Sequence, residues 1–90
     1  MADDRLTIDP ATVFDNADDR RVEFAATVDG ERRAFAAQYD LLRALSAEDP
    51  DDRAVALFQM HADRITAAAS TALARDIEQT MVVVSENDLA

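Results

Sequence analysis

Cysteine and tryptophan are absent from this chain of 90 residues, and glycine occurs once, at Gly30. Without Cys no disulfide and no thiolate metal site can form, and the single His, His61, cannot assemble a nitrogen-ligand metal cluster. One Gly cannot supply a Gly-rich phosphate loop. Lysine is missing as well. All the positive charge rests on 9 Arg against 19 Asp and Glu, and the formal net charge of −10 sets the chain against nucleic-acid phosphate and anionic membrane surfaces as partners. No apolar run approaches the about 20 residues that a membrane-spanning helix needs. The chain therefore reads as cytoplasmic, and no cofactor is expected.

What is present is sized for one core. A chain of 9.9 kDa keeps roughly 5,200 Å² exposed of the roughly 14,400 Å² it shows unfolded. Ala supplies 19 of the apolar residues, so each larger apolar side chain has to count. We read residues 1–90 as a single α+β domain, with 1–5 and 86–90 as frayed polar ends.

Leu6 and Ile8, two residues apart, mark a short strand. Asp9 followed by Pro10 matches a helix N-cap and first-turn pair, so a brief helical turn carrying Val13 and Phe14 is expected, closed by a polar corner at Asp15, Asn16, Asp18 and Asp19. The clearest local signal lies in residues 22–39. Val22, Phe24, Ala26 and Val28 alternate with Glu23, Ala25 and Thr27, and Asp29 with Gly30 then supplies the two positive-φ positions of a tight hairpin turn. A two-residue turn fixes the register: Val28 opposes Glu31, Ala26 opposes Arg33, Phe24 opposes Phe35 and Val22 opposes Ala37. The Phe24 and Phe35 side meets the core. The other side, with Glu23, Ala25, Thr27, Arg32, Ala34 and Ala36, is too small-toothed to be a second core.

Asp40 to Leu45 predicts a short helix presenting Leu41, Leu42 and Leu45. Asp49 and Pro50 repeat the cap signature, with Asp51 and Asp52 in the first turn, and a long amphipathic helix follows. At 100° per residue Val55, Phe58, Ala62, Ile65, Ala69, Ala72 and Leu73 form one stripe, whose phase fails at Asp76. Unbroken from Pro50 to Arg75, this rod would measure roughly 39 Å. Thr80 to Ser85 is the last strand, with Met81 and Val83 on one face and Val82 and Val84 on the other, so it is covered on both sides or keeps one for a partner. The predicted architecture is a small antiparallel sheet, the hairpin plus N-terminal and C-terminal strands, packed in two layers under the long helix.

Candidate chemistry is sparse. His61 sits at the edge of the apolar stripe with Asp63 and Arg64 nearby. A packed ring with one nitrogen in water is the simpler reading, and a ligand or enzyme site around His61 and Arg64 is the alternative, because a general base needs a second positioned group and a pocket. The acidic clusters around Asp18 and Asp51 lack the alternating ligands and terminal Glu of a calcium loop. Arg20 and Arg21 at one end of the hairpin and Arg32 and Arg33 at the other suit phosphate or carboxylate, or simply balance Asp18, Asp19, Asp29 and Glu31. Leu57 and Met60 fall away from the stripe, on the polar side, and mark a possible interaction surface. These features describe an acidic protein-interaction or accessory protein without a catalytic motif, whose partner is another protein or a second copy of itself as a homodimer.

The residue pattern resembles DUF1488, a family of small bacterial proteins of unknown function. The matching positions are Leu6 and Ile8; Arg21, Val22, Phe24, Val28, Asp29 and Gly30; Leu42; Phe58, His61, Arg64 and Ile65; and Val82 to Val84 with Asp88 and Leu89. Ala62 departs from the pattern, where Arg is more usual, and Gln38 stands where Ser would cap the short helix. The resemblance implies an α+β fold and transfers no catalytic residue.

Overall fold

The computed structural model describes residues 6–50, 53–75 and 78–89. Its centre is the hairpin of β2 (Arg21–Val28) and β3 (Glu31–Gln38). Asp29 and Gly30 take φ of 53° and 88° between them, as the tight turn requires. The pairing is in the expected register, with Phe24 opposite Phe35 and Val22 opposite Ala37. The two rings stack with centroids 5.3 Å apart, and Phe58 tilts onto Phe24 at 4.9 Å. Three aromatic rings thus join the hairpin to the helical layer, a geometry that adds to their area burial.

β1 (Leu6–Asn16) pairs antiparallel with β2, and the expected helical turn at Pro10 to Phe14 is replaced by an irregularity in this strand. Register slips between Asp9, opposite Ala25, and Phe14, opposite Glu23. Local hydrogen bonds explain why the strand resumes. The Ala11 amide donates to the Asp9 carboxylate at 3.1 Å, and the Thr12 hydroxyl donates to the Asp9 carbonyl at 2.7 Å. The same hydroxyl accepts from the Ala25 amide at 2.8 Å, replacing a ladder bond. Pro10, with no amide hydrogen to offer, is tolerated at such a bulge on an edge strand.

Among the described residues three α-helices lie between β3 and the last strand: α1 (Tyr39–Ser46), α2 (Ala54–Met60) and α3 (Ala62–Arg75). Gln38 precedes α1 without a side-chain capping bond, and Ala47 ends it in the left-handed region at φ 62°. The path from the Asp49–Pro50 pair into the next helix runs through residues 51 and 52, outside the described residues; on its far side the Arg53 amide donates to the Pro50 carbonyl at 2.5 Å. Pro50 is buried, Asp49 pairs with Arg43 at 3.1 Å, and Arg53 precedes the first turn of α2. The proposed roles of Asp51 and Asp52, and of Asp76, lie outside the described residues.

The expected single rod is broken at His61, which adopts φ −116° and ψ 24° while its amide bonds the carbonyls of Leu57 and Phe58. A straight rod of about 39 Å would outrun a molecule whose longest dimension is 32 Å. The buried arc also differs from the expected stripe. Ala54, Leu57, Phe58, Ile65, Ala68, Ala69 and Ala72 are buried, whereas Val55, Ala62 and Leu73 are only half-buried. At 100° per residue the two arcs are offset by about 60°. That rotation takes Leu57 off the surface and into the interior.

β4 (Met81–Val84) corrects the expectation of an antiparallel sheet, because it pairs parallel to β3, giving a four-stranded mixed sheet in the order β1-β2-β3-β4. The helical connection returns the chain to the same end of the sheet, so the crossover dictates the parallel direction. The C-terminal residues are also better ordered than a frayed tail. Glu86 to Asp88 form a 3₁₀ turn in which the Ser85 hydroxyl accepts from the Asn87 amide at 3.2 Å and the Asp88 carboxylate accepts from the Ser85 amide at 3.0 Å. Asp88 is buried and paired with Arg75, and Leu89 packs against the core. The folded chain exposes 5239 Å², the area that surface scaling assigns to a compact monomer of this mass.

Candidate functional site: the open face of the sheet

The helices share a core with Val22, Phe24, Ala26, Phe35, Ala37, Val82 and Val84, so they all cover one side of the sheet. Strand alternation and pairing dictate what stands on the other side. Four rows cross it. The first holds Thr7, Thr27 and Arg32; the second Asp9, Ala25, Ala34 and Met81; the third Phe14, Glu23, Ala36 and Val83; the fourth Asn16, Arg21 and Gln38. The two middle rows are mostly apolar, and no described helix covers them.

Phe14 is 58% exposed, while Ala25, Ala34, Met81 and Val83 are half-buried. A depression of about 340 Å³ opens over Ala25 and Ala34, with Phe14 on its β1 side and Met81 on its β4 side, and with Thr12 and Glu23 also lining it. The Ala residues create the hollow: a methyl group on each central strand leaves the floor one side chain lower than the rims. Of the two expectations for the last strand, covered on both sides or one side kept for a partner, the burial of Val82 and Val84 beside half-buried Met81 and Val83 matches a strand covered fully on one side only.

The charges of this face are paired within it. Arg32 meets Asp9 at 3.0 Å, and Arg21 meets Glu23 at 2.9 Å. The Asn16 side-chain amide donates to Glu23 at 2.8 Å. These bonds hold both carboxyls below their ordinary values: Asp9 chiefly through the hydrogen bond from Arg32 and then the Ala11 amide, Glu23 chiefly through Asn16 and then Arg21. With two Arg and two acids, the face is neutral on a chain of net charge −10. The hairpin arginines are therefore engaged: Arg21 reaches the expected Asp19 at 3.7 Å as well as Glu23, whereas Arg32 finds Asp9 on the neighbouring strand. Arg20 lies over the Tyr39 ring at 5.4 Å, and the Tyr39 hydroxyl donates to Asp15 at 2.6 Å.

The residues singled out from sequence sit elsewhere. Leu57 is fully buried and offers no surface; Met60 is 66% exposed at the end of α2, in the helical layer. His61 forms the joint between α2 and α3 through its backbone. Arg64 borders a small depression of about 150 Å³ with Ala67, Ala68, Thr71, Asp88 and Leu89, and His61 is not among its walls. Among the described residues no group of three or more His, Asp or Glu is placed to hold a metal ion, and no helix is long and apolar enough to cross a membrane. Phe14 was the residue missed. Its reading as part of a helical turn hid the strand parity that places it beside Ala25 and Met81.

The family described as a protein of unknown function, DUF1488, matches residues 10–84. A crystal structure of a protein of unknown function from that family, from Shewanella loihica, superposes with a TM-score of 0.73 at 16% identity, covering 94% of this chain and 97% of the other. Among curated proteins none matches. The structural likeness shares the fold, and the sequence match spans both the hairpin and the last strand: the chain belongs to the DUF1488 family.

Proposed function

We propose that this chain is a small acidic protein-interaction or accessory module whose working surface is the open face of its sheet. The observation that carries the reading is the contiguous apolar surface of Phe14, Ala25, Ala34, Met81 and Val83 around a shallow hollow. A sheet face meant only for water carries polar residues at alternate positions. An apolar one rimmed by polar groups marks an interaction surface. The hollow is broad and shallow, which suits the surface of another protein better than an enclosed small molecule. The test is a comparative capture from cells expressing the tagged chain and its Ala34→Arg variant. Loss of specific partners, the second copy included, upon Ala34→Arg with retained folding supports the reading. Capture of the same partners by both forms would sink it.

A further inference from the structure

We infer that the occupant of the open face is a second copy of this chain, packed sheet to sheet about a two-fold axis. The inference rests on the reading of that face as a binding surface and adds the identity of what binds. Three observations carry it.

The first is charge. A surface built for a basic partner would display the acidic excess of the chain, but Asp9, Arg21, Glu23 and Arg32 cancel within the face. It is a neutral surface on a molecule of net charge −10, so a second copy can meet it without the like-charge penalty that the rest of the chain would impose.

The second is self-complementarity. A closed dimer requires that each residue meet a residue that meets it in return. A two-fold axis lying in the interface and running along the strands exchanges β1 with β4 and β2 with β3 in the order β1-β2-β3-β4. Phe14 of each copy then lies over Val83 of the other, Ala25 over Ala34, and Asp9 over Met81. Small residues meet small ones at the centre and the prominent ring meets the lower edge strand, while Ala36, opposite Glu23, is already fully buried within its own chain and adds no contact. Arg21 meets Gln38 and Arg32 meets Thr27, so no like charges are opposed. Sheets packed this way run nearly aligned, offset by the twist of each.

The third is area. Four strands about 4.8 Å apart and rows about 6.6 Å apart give a face of about 450 Å² in plan, and two such faces bury about 900 Å². That lies just below the about 1,000 Å² expected of a biological interface, so the dimer is weak and reversible.

The charge excess outside the face gives the dimer a distinctive salt response. Two copies at −10 each repel one another, and salt screens that repulsion. Sedimentation velocity from 1 to 300 µM at 50 and 500 mM NaCl tests the inference, with circular dichroism melts confirming that each variant folds. The expected result is a monomer–dimer equilibrium that tightens by about three- to tenfold at the higher salt. Ala34→Arg is expected to raise Kd at least about 30-fold, and Phe14→Ser about tenfold. Met60→Ser, in the helical layer, leaves Kd unchanged. Phe14→Ser alters an exposed side chain, so it decides the matter should Ala34→Arg fail to fold. A monomer at every concentration and salt overturns the inference, as does a dimer that weakens with salt or depends on Met60 but not on Phe14. If the chain is monomeric yet captures other proteins in an Ala34-dependent way, the second-copy assignment fails while the binding-face reading stands. If neither is seen, both fail.

Discussion

Along β3, Phe35 and Ala34 are neighbours in sequence and opposites in structure. Phe35 is fully buried against Phe24, while Ala34 stands half-buried at the floor of a hollow on the other side of the same strand. Both faces of the sheet are apolar, but by different means. The inner face uses large side chains whose burial against helices holds the fold. The outer face uses methyl groups with Phe14 and Met81 beside them, giving a shallow hollow flanked by the paired charges of Asp9 with Arg32 and Glu23 with Arg21. Side-chain size, together with the paired charges of the outer face, distinguishes the face that makes the domain from the face that we assign to binding.

The sharpest way to break this comparison is to shorten the inner residue. Phe35→Ala is expected to cost about 3–5 kcal/mol, because a buried aromatic removed from a close-packed core loses both transfer energy and packing. In a domain of this size that is a large part of the total stability. The neighbouring Ala34→Arg is expected to stay within about 0.5 kcal/mol of the parent, as most surface changes do. Urea denaturation of both variants measures the contrast. Comparable losses would mean that the outer face is structural after all.

The contrast was legible in the sequence where a short local rule governs. Asp29 and Gly30 set the hairpin register, and register set which of Phe35 and Ala34 faces inward. Leu41 and Leu42 likewise announced α1. The rest failed where tertiary structure overrode local signals. Asp9 and Pro10 satisfy both a helix cap and a strand bulge, and only the Thr12 hydroxyl bonding Ala25, 13 residues away, selects the second. The shift of the helical stripe arose because Val55 and Leu73 outweigh Ala54 and Ala68 in hydropathy, although Ala54 and Ala68 are the ones buried. Parallel pairing of β4 depends on where a three-helix crossover delivers the chain, which no residue in Met81 to Val84 encodes. Of the candidate site, the spare face of Met81 and Val83 and the alanines were visible; Phe14 was not.

A smaller effect is expected at the edge where the two faces meet. Asp88 is buried beside β4, accepts from the Ser85 amide at 3.0 Å, and pairs with Arg75. The Ser-x-x-Asp spacing from Ser85 to Asp88 is the sequence signature of this turn. Asp88→Asn keeps the shape but loses the charge that Arg75 meets and turns one acceptor toward donors, so a loss of about 1–2 kcal/mol is expected. The same denaturation experiment checks it. A variant as stable as the parent would show that β4 is held by Val82 and Val84 alone, and that the polar lock contributes nothing to keeping Met81 and Val83 in the plane of the outer face.

The smallest effect belongs to the outer face itself, where, among the described residues, the two carboxyls with lowered pKa stand. Glu23 is held below its ordinary 4.5 first by the hydrogen bond from Asn16 and next by Arg21. The folded chain therefore favours the charged form more than the unfolded chain does. Stability from this difference is fully present above pH 4.5 and is lost as pH falls through the lowered folded value. A Glu23→Gln variant cannot titrate at this position. It is expected to start slightly less stable at pH 7 and to lose stability less steeply below pH 4.5, so that the two curves converge in acid. Asp9→Asn should behave alike below its ordinary 3.8, through Arg32 and the Ala11 amide. Parallel curves for parent and variant would show that the outer charges cancel without stabilising the fold, leaving neutrality of the surface as their sole physical consequence. Because the inner-face variant Phe35→Ala changes no titrating group, its stability should run parallel to the parent's at all pH values, and that difference in pH response separates the two faces independently of size.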